Sequence, residues 1–172
     1  ALGIKPQERI SLIADNSPRW LIADQGMMTA GAVNAVRSSQ ADIDELAYIL
    51  VNSDSTVLVA QDLKTFEKLR PRLDDLPIKL VILLTDESVP SEEVIKVLNF
   101  KQLMELGAKH NLEPVKQSRD TLATLLYTSG TSGKPKGVML SHGNLIHQVT
   151  NLATIVQPER GDVVLSILPT WH

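Results

Sequence analysis

Five short aliphatic runs, spaced by capped amphipathic or polar stretches, constrain this chain more than anything else in it. They are Arg9 to Ala14 (RISLIA), Ala32 to Val36, Thr56 to Ala60, Leu80 to Leu84 and Thr121 to Tyr127. Runs of that length suit strands buried on both faces, with no polar residue needed at alternate positions. The intervening stretches read as helices. Ser17 can cap the first, with Pro18 at the position where a missing N–H costs nothing, and the helix should run to about Ala30 and end at Gly31. Ser39 and Asp42 have capping-box spacing ahead of Ile43, Leu46, Ala47 and Leu50, which fall on one face at i, i+3, i+4 and i+7. Leu63 to about Leu73 should place Leu63, Phe66 and Leu69 inward. Asp86 to Pro114 is polar and irregular, with short helical pieces expected near Val94 and Leu103. Ser141 can cap a helix reaching about Val156, and Val163 to Leu168 is expected to be a final strand.

Strands alternating with helices imply right-handed crossovers and a mostly parallel sheet flanked by helices, an α/β fold. Residues 1–172 are expected to form a single such lobe. Ligands of these sheets bind beyond the carboxyl ends of the strands.

Composition narrows the function classes. At 43% hydrophobic and 22% charged the chain resembles ordinary globular proteins. Its net charge of −3, with no long basic stretch, argues against a nucleic-acid partner. Lys64, Lys68, Arg70 and Arg72 are followed at once by Asp74 and Asp75, which reads as a solvated mixed-charge face. The absence of cysteine excludes disulfides, thiolate catalysis and Cys-based zinc sites, and is compatible with a cytoplasmic protein. The longest aliphatic stretch, Leu80 to Leu84, is far too short to span a bilayer. No signal peptide is visible, and a targeting segment of a longer parent would lie outside these residues.

The chemistry concentrates between Tyr127 and Gly137, YTSGTSGKPKG. Thr128, Ser129, Thr131 and Ser132 carry hydroxyls, Gly130 and Gly133 let backbone N–H groups approach a ligand, and Lys134 and Lys136 add charge. Together they suit a flexible cradle for a polyphosphate. With Pro135 between them the two ammonium groups should diverge, so that only one need face the loop. A P-loop of the form G-x-x-x-x-G-K-[ST] does not fit. Aligned on Gly133 and Lys134, it places Thr128 at the first glycine and Pro135 at the magnesium-binding hydroxyl. A Ser/Gly-rich surface linker is the plain alternative, but linkers seldom carry two lysines and a proline between two apolar runs.

With its flanks the segment LLYTSGTSGKPKGVMLSHGNL closely resembles the signature of the adenylate-forming, AMP-binding superfamily, which includes acyl-CoA synthetases, luciferases and peptide adenylation domains. AGAVNAVRSSQADIDELAYILVNSDSTVLVA resembles an upstream strand–helix–strand unit of the same family, and SILPTWH resembles its Leu-Pro-x-x-His segment. Together with WLIADQGMMTAGAVNAVRSS, the wording is most similar to long-chain fatty acid synthetases of cyanobacteria and plastids.

The resemblance implies a ligase that uses ATP and Mg2+ to convert a long-chain fatty acid to an acyl-adenylate. It then passes the acyl group to coenzyme A or an acyl carrier protein. It implies that Thr128, Ser129, Gly130, Thr131, Ser132, Gly133, Lys134 and Lys136 hold the β- and γ-phosphates, with Lys136 and His172 as catalytic candidates and Thr128 also near the metal. His172 would lie by the acyl and thiol tunnels, with Trp171 filling core or lining the acyl pocket. The family's magnesium-associated glutamate, adenine and ribose contacts, hinge and catalytic lysine have no counterpart in these residues. The expectation is therefore one lobe of a large N-terminal domain, inactive alone, in a parent that is cytoplasmic, plastid or peripherally membrane-bound. A non-catalytic nucleotide-phosphate module, or a luciferase-like or amino-acid-adenylating branch, is the alternative.

Outside the loop nothing assembles into a site. His142 and His147, at i and i+5, lie about 140° apart on a helix and do not share a face. His110 is isolated in the polar stretch, and Asp24, Asp42, Asp44 and Glu45 read as helix-surface or first-turn carboxylates with no acid–base dyad among them.

Overall fold

A computed structural model of the chain describes residues 2–172 except 90, 92, 93, 112, 114, 129–132, 153, 158, 164, 166, 167, 171 and 172. The described elements are β1 (Arg9–Ile13), α1 (Pro18–Thr29), β2 (Val33–Arg37), α2 (Ile43–Asn52), β3 (Val57–Ala60) and α3 (Leu63–Leu73). They continue as β4 (Leu80–Leu83), β5 (Lys96–Leu98), α4 (Phe100–Ala108), β6 (Leu122–Thr128), β7 (Lys136–Ser141) and α5 (His142–Leu152). The strands form one sheet in the order β5-β4-β3-β1-β2-β6-β7. Every pairing is parallel except β6 with β7, which is antiparallel. The mostly parallel α/β architecture expected from the aliphatic runs is the one observed.

Alternation along each strand divides its side chains between two cores. Ile10, Leu12, Val57, Val59, Leu80 and Ile82 pack on one face with Trp20 and Met27 of α1 and Phe100 of α4. Ile13, Leu58, Val81 and Leu83 pack on the other with Leu46 and Leu50 of α2 and Phe66, Leu69 and Leu73 of α3. A smaller cluster of Val33, Ala35, Ile49, Leu125 and Tyr127 joins α2 to β2 and β6. The strands read as unbroken hydrophobic runs because both of their faces are dry.

The helix boundaries follow local chemistry. Ser17 Oγ accepts the Trp20 N–H at 3.0 Å and Pro18 opens α1. Past its end, Gly31 has φ +80°, and a Cβ there would meet Val115 Cγ1 at 2.7 Å, so glycine is required twice over. At α2 the expected Ser39–Asp42 box does not form. Asp42 is the N-cap, accepting the Asp44 N–H at 2.8 Å, while Ser39 Oγ donates to Asp15 Oδ2 at 2.8 Å. A carboxylate at the end of β1 is the stronger acceptor, and it draws the serine away.

Two expectations need correcting, and a third is met by a longer element than expected. The stretch near Val94 contains the edge strand β5, whose Val97 pairs with Val81 and is buried among the α3-side residues; burial, not helical periodicity, decides it. The helical piece expected near Leu103 is there, as the nine-residue helix α4, opened by an Asn99–Gln102 capping box. The strand expected over Val163–Leu168 is not formed by its described residues: Val163, Leu165 and Leu168 lie outside any strand and are exposed. Val164, Ser166 and Ile167 lie outside the described residues.

Candidate functional site

The glycine-rich loop is the turn of a hairpin. β6 enters it at Thr128 and β7 leaves it at Lys136, and these two residues face each other in the antiparallel register. β6 runs parallel to β2, so the turn opens at the carboxyl edge of the sheet, where such sheets bind ligands. Ser129, Gly130, Thr131 and Ser132 lie outside the described residues, as do Trp171 and His172. Of the sequence-derived candidates the structure therefore places Thr128, Gly133, Lys134 and Lys136, all at the hairpin's open end.

Thr128 is half-buried and Lys136 is exposed on the edge strand. Gly133 has φ +88°, a turn conformation that disfavours any side chain. Lys134 swings toward α2: its Nζ lies 5.6 Å from the centroid of the Tyr48 ring, within cation–π range. The two ammonium groups thus sit on different supports, Lys134 against a helix and Lys136 at the mouth of the hairpin.

A cleft of about 360 Å³ separates residues 133–135 from the first turn of α2, where Asp42, Asp44, Glu45 and Tyr48 line it. Three carboxylates make that cleft hostile to a polyanion. Each has a task already: Asp42 caps α2, Asp44 pairs with Arg72, and Glu45 accepts Arg37 Nε at 2.6 Å. The Lys136 side of the loop has no such carboxylate lining it among the cleft residues, so the cleft beside Lys134 is the less favourable of the two for an anion.

Tyr127, the residue before Thr128, is held firmly. Its hydroxyl donates to Asn52 Oδ1 at 2.8 Å and its carbonyl accepts Arg37 Nη1 at 3.2 Å. Its ring lies against Gly137, where a Cβ would come within 3.0 Å of it. Burial, with Tyr48 and Asp54 nearby, pushes the Tyr127 phenol up to about 12, so it remains a neutral donor. Sequence reasoning missed Arg37, Glu45, Tyr48 and Asn52. All lie more than seventy positions before the loop, and only the parallel β2–β6 pairing brings them to it.

Elsewhere on the carboxyl edge, the crevice where the sheet order reverses at β1 is filled by a polar network. Asp15 accepts Ser38 Oγ at 2.5 Å and Ser39 Oγ at 2.8 Å, and Ser39 Oγ also donates to Gln61 Oε1 at 3.1 Å. Next to it, Asn16 holds the C-terminal segment, its Nδ2 donating to the Leu168 carbonyl at 2.8 Å and its Oδ1 accepting the Thr170 N–H at 2.7 Å. That contact brings Leu168 and Thr170 to the same edge as the hairpin.

The histidines bond to protein groups. His142 Nε2 lies 2.8 Å from Gln117 Oε1, His147 Nε2 lies 3.0 Å from Asn151 Nδ2, and His110 Nδ1 lies 2.8 Å from the Leu106 carbonyl. Among the described residues no group of three His, Cys, Asp or Glu could hold a metal ion. A hard cation here would take most of its oxygens from a bound nucleotide, and the Thr128 hydroxyl is of the right class to add one.

Known proteins resemble this chain in sequence and in overall fold. The chain is 39% identical to "Probable acyl-activating enzyme 16, chloroplastic" of Arabidopsis thaliana and 38% identical to that plant's long-chain-fatty-acid–[acyl-carrier-protein] ligase AEE15, chloroplastic. Each comparison covers 99% of the chain and 26% of the relative, so the chain spans about a quarter of these curated relatives. Its fold matches a long-chain-fatty-acid-CoA ligase (FadD1) from Archaeoglobus fulgidus with a TM-score of 0.81 and 26% identity, over 99% of this chain and 32% of that one. ATP-bound MatB from Rhodopseudomonas palustris shares the fold with a TM-score of 0.77 at 22% identity, over 99% of this chain and 32% of that one. With the AMP-binding enzyme family model matching residues 1–172 from end to end, the chain belongs to the AMP-binding enzymes.

Proposed function

We propose that this chain is the pyrophosphate-clasping lobe of an ATP-dependent, AMP-forming long-chain fatty acid ligase, part of a longer polypeptide and inactive by itself. The observation that carries the reading is the hairpin. A Ser/Thr/Gly loop flanked by Thr128 and Lys136 opens at the carboxyl edge of a parallel sheet, in a chain whose relatives are named as ligases of long-chain fatty acids.

In the first half-reaction a fatty carboxylate oxygen bonds to the α-phosphorus of ATP, and the bond from that phosphorus to the bridging oxygen breaks. The products are acyl-adenylate and pyrophosphate. Little covalent help is needed from the protein, so charge neutralisation and alignment supply most of the rate. Thr128, Ser129, Gly130, Thr131, Ser132, Gly133 and Lys136 are assigned to the departing phosphates. Lys134, drawn to Tyr48, steadies the loop and adds charge at longer range. A magnesium ion bound with the nucleotide would offset phosphate charge, and Thr128 is the residue here suited to touch it.

In the second half-reaction a thiol of coenzyme A or an acyl carrier protein displaces AMP. His172 is assigned to that side of the site, since Asn16 ties the residues just before it to the carboxyl edge. No helix among the described residues is long and apolar enough to cross a membrane. A plastid setting accords with the chloroplastic relatives, with a cytoplasmic one as the alternative and peripheral membrane contact as a further proposal. The test is fatty-acid-dependent ATP–pyrophosphate exchange by the intact protein. Exchange that requires a long-chain acid supports the assignment, and a folded protein that exchanges with none overturns it.

A further inference from the structure

We propose that Arg37 is a positioning residue for the glycine-rich loop, fixing the strand that enters it to helix α2; the inference rests on the phosphate-binding reading of that loop. Arg37 is the last residue of β2, and its side chain is only 13% exposed. A guanidinium so far from water must be paired, and Glu45 supplies the charge, accepting Nε at 2.6 Å. Nη1 donates to the Tyr127 carbonyl at 3.2 Å.

That carbonyl is a telling acceptor. The β2–β6 pairing runs from Asn34↔Thr124 to Val36↔Leu126, so Tyr127 lies one step beyond it. On its β2 side a charged side chain, rather than a further strand pair, continues the grip, while β7 still pairs with Tyr127 through Gly137 on the other side. The same helix holds Tyr127 a second time, through the hydroxyl bond to Asn52 at the far end of α2. Glu45 stands in the first turn of α2 and Asn52 is its last residue, so the helix works as a two-point clamp on the residue before Thr128. Opposite them, Gly137 closes the ring of Tyr127 against β7. A small rotation of Tyr127 would move Thr128 and everything after it, and misplacement on the ångström scale is costly where alignment supplies the rate.

A salt bridge that merely joined β2 to α2 would affect stability and leave substrate parameters alone. The two roles are separated in the intact protein with Arg37→Met, Arg37→Lys and Glu45→Gln. Arg37→Met is expected to raise KM for MgATP and slow ATP–pyrophosphate exchange by about tenfold or more, with KM for the fatty acid unchanged. Lysine can reach one partner but lacks the fork that joins two, so Arg37→Lys should shift the same parameter less. Glu45→Gln should shift it too, and non-additively with Arg37→Lys. Unchanged MgATP and exchange parameters in a folded Arg37 variant overturn the proposal.

Amide hydrogen exchange tests the clamp without relying on catalysis, even if the intact wild-type protein has no ATP–pyrophosphate exchange activity and the ligase reading has failed. In Arg37→Lys the backbone amides of residues 127, 128, 136 and 137 should exchange faster while those of β3 and β4 do not. Equal protection at the hairpin would contradict the positioning role.

Discussion

On the β4-β3-β1-β2 side the sheet is roofed on both faces, and Leu12, Ile13, Leu46, Leu58, Leu69 and Leu83 are fully buried. At the β6-β7 end the same sheet carries α5, which has no buried residue, and there Met139, Val149 and Leu152 are more than half exposed. One region has finished its packing. The other displays apolar side chains beside the glycine-rich loop to which phosphate binding is assigned. β6 belongs to both: Ala123 and Tyr127 are buried in the first, and Thr128 opens the second. On the proposed reading, stability and chemistry are held by different parts of one sheet, joined at the contacts that Arg37 and Asn52 make with Tyr127.

The largest expected effect tests the packed side. Phe66 is 1% exposed between α3 and the sheet, and Phe66→Ala should cost about 3–5 kcal/mol in denaturant unfolding. Val149 is 69% exposed on α5, and Val149→Ala should change stability by no more than about 0.5 kcal/mol. Comparable losses at the two positions would break the contrast.

A smaller, pH-dependent effect sharpens it. Asp24 is buried in α1 beneath β2, taking hydrogen bonds from Asn34 Nδ2 at 2.6 Å and Gln25 Nε2 at 2.9 Å. Burial outweighs those bonds and holds its carboxyl above the ordinary value of 3.8. The folded chain therefore binds this proton more tightly than the unfolded chain. The stabilisation is complete below 3.8 and is lost as pH rises through the raised folded value. Asp24→Asn removes the titration, so the stability of wild type relative to the variant should decline as pH climbs from about 4 toward neutrality. A difference that stays flat with pH would show that Asp24 does not titrate abnormally.

Much of the packed side was legible because burial there is continuous. RISLIA and the other aliphatic runs could hardly be anything but inner strands, and Ser17-Pro18 marks a helix start through its own chemistry. What escaped was decided by partners distant in sequence. Ser39 looked like a cap until the Asp15 carboxylate claimed it. Asp24 looked like a surface acid, and only the neighbouring strand residue Asn34 explains its burial. Lys96–Leu98 is too short to show a period and becomes a strand because Val97 pairs with Val81. At the site the loop announced itself in sequence, since glycines, hydroxyls and lysines were contiguous. Its supports on β2 and α2 did not, because Arg37, Glu45, Tyr48 and Asn52 are unremarkable until β2 pairs with β6.

The most direct test of this division of labour measures two quantities on one substitution, Lys136→Ala in the intact protein. Lys136 is exposed and buries little, so unfolding stability should stay within about 0.5 kcal/mol of wild type. A lost hydrogen bond to a charged phosphate oxygen is worth roughly 1.5–3 kcal/mol. Fatty-acid-dependent ATP–pyrophosphate exchange should therefore fall by about tenfold to a hundredfold. An unchanged exchange rate, or a loss matched by an equal loss of stability, would contradict the assignment of chemistry to the hairpin and stability to the packed side.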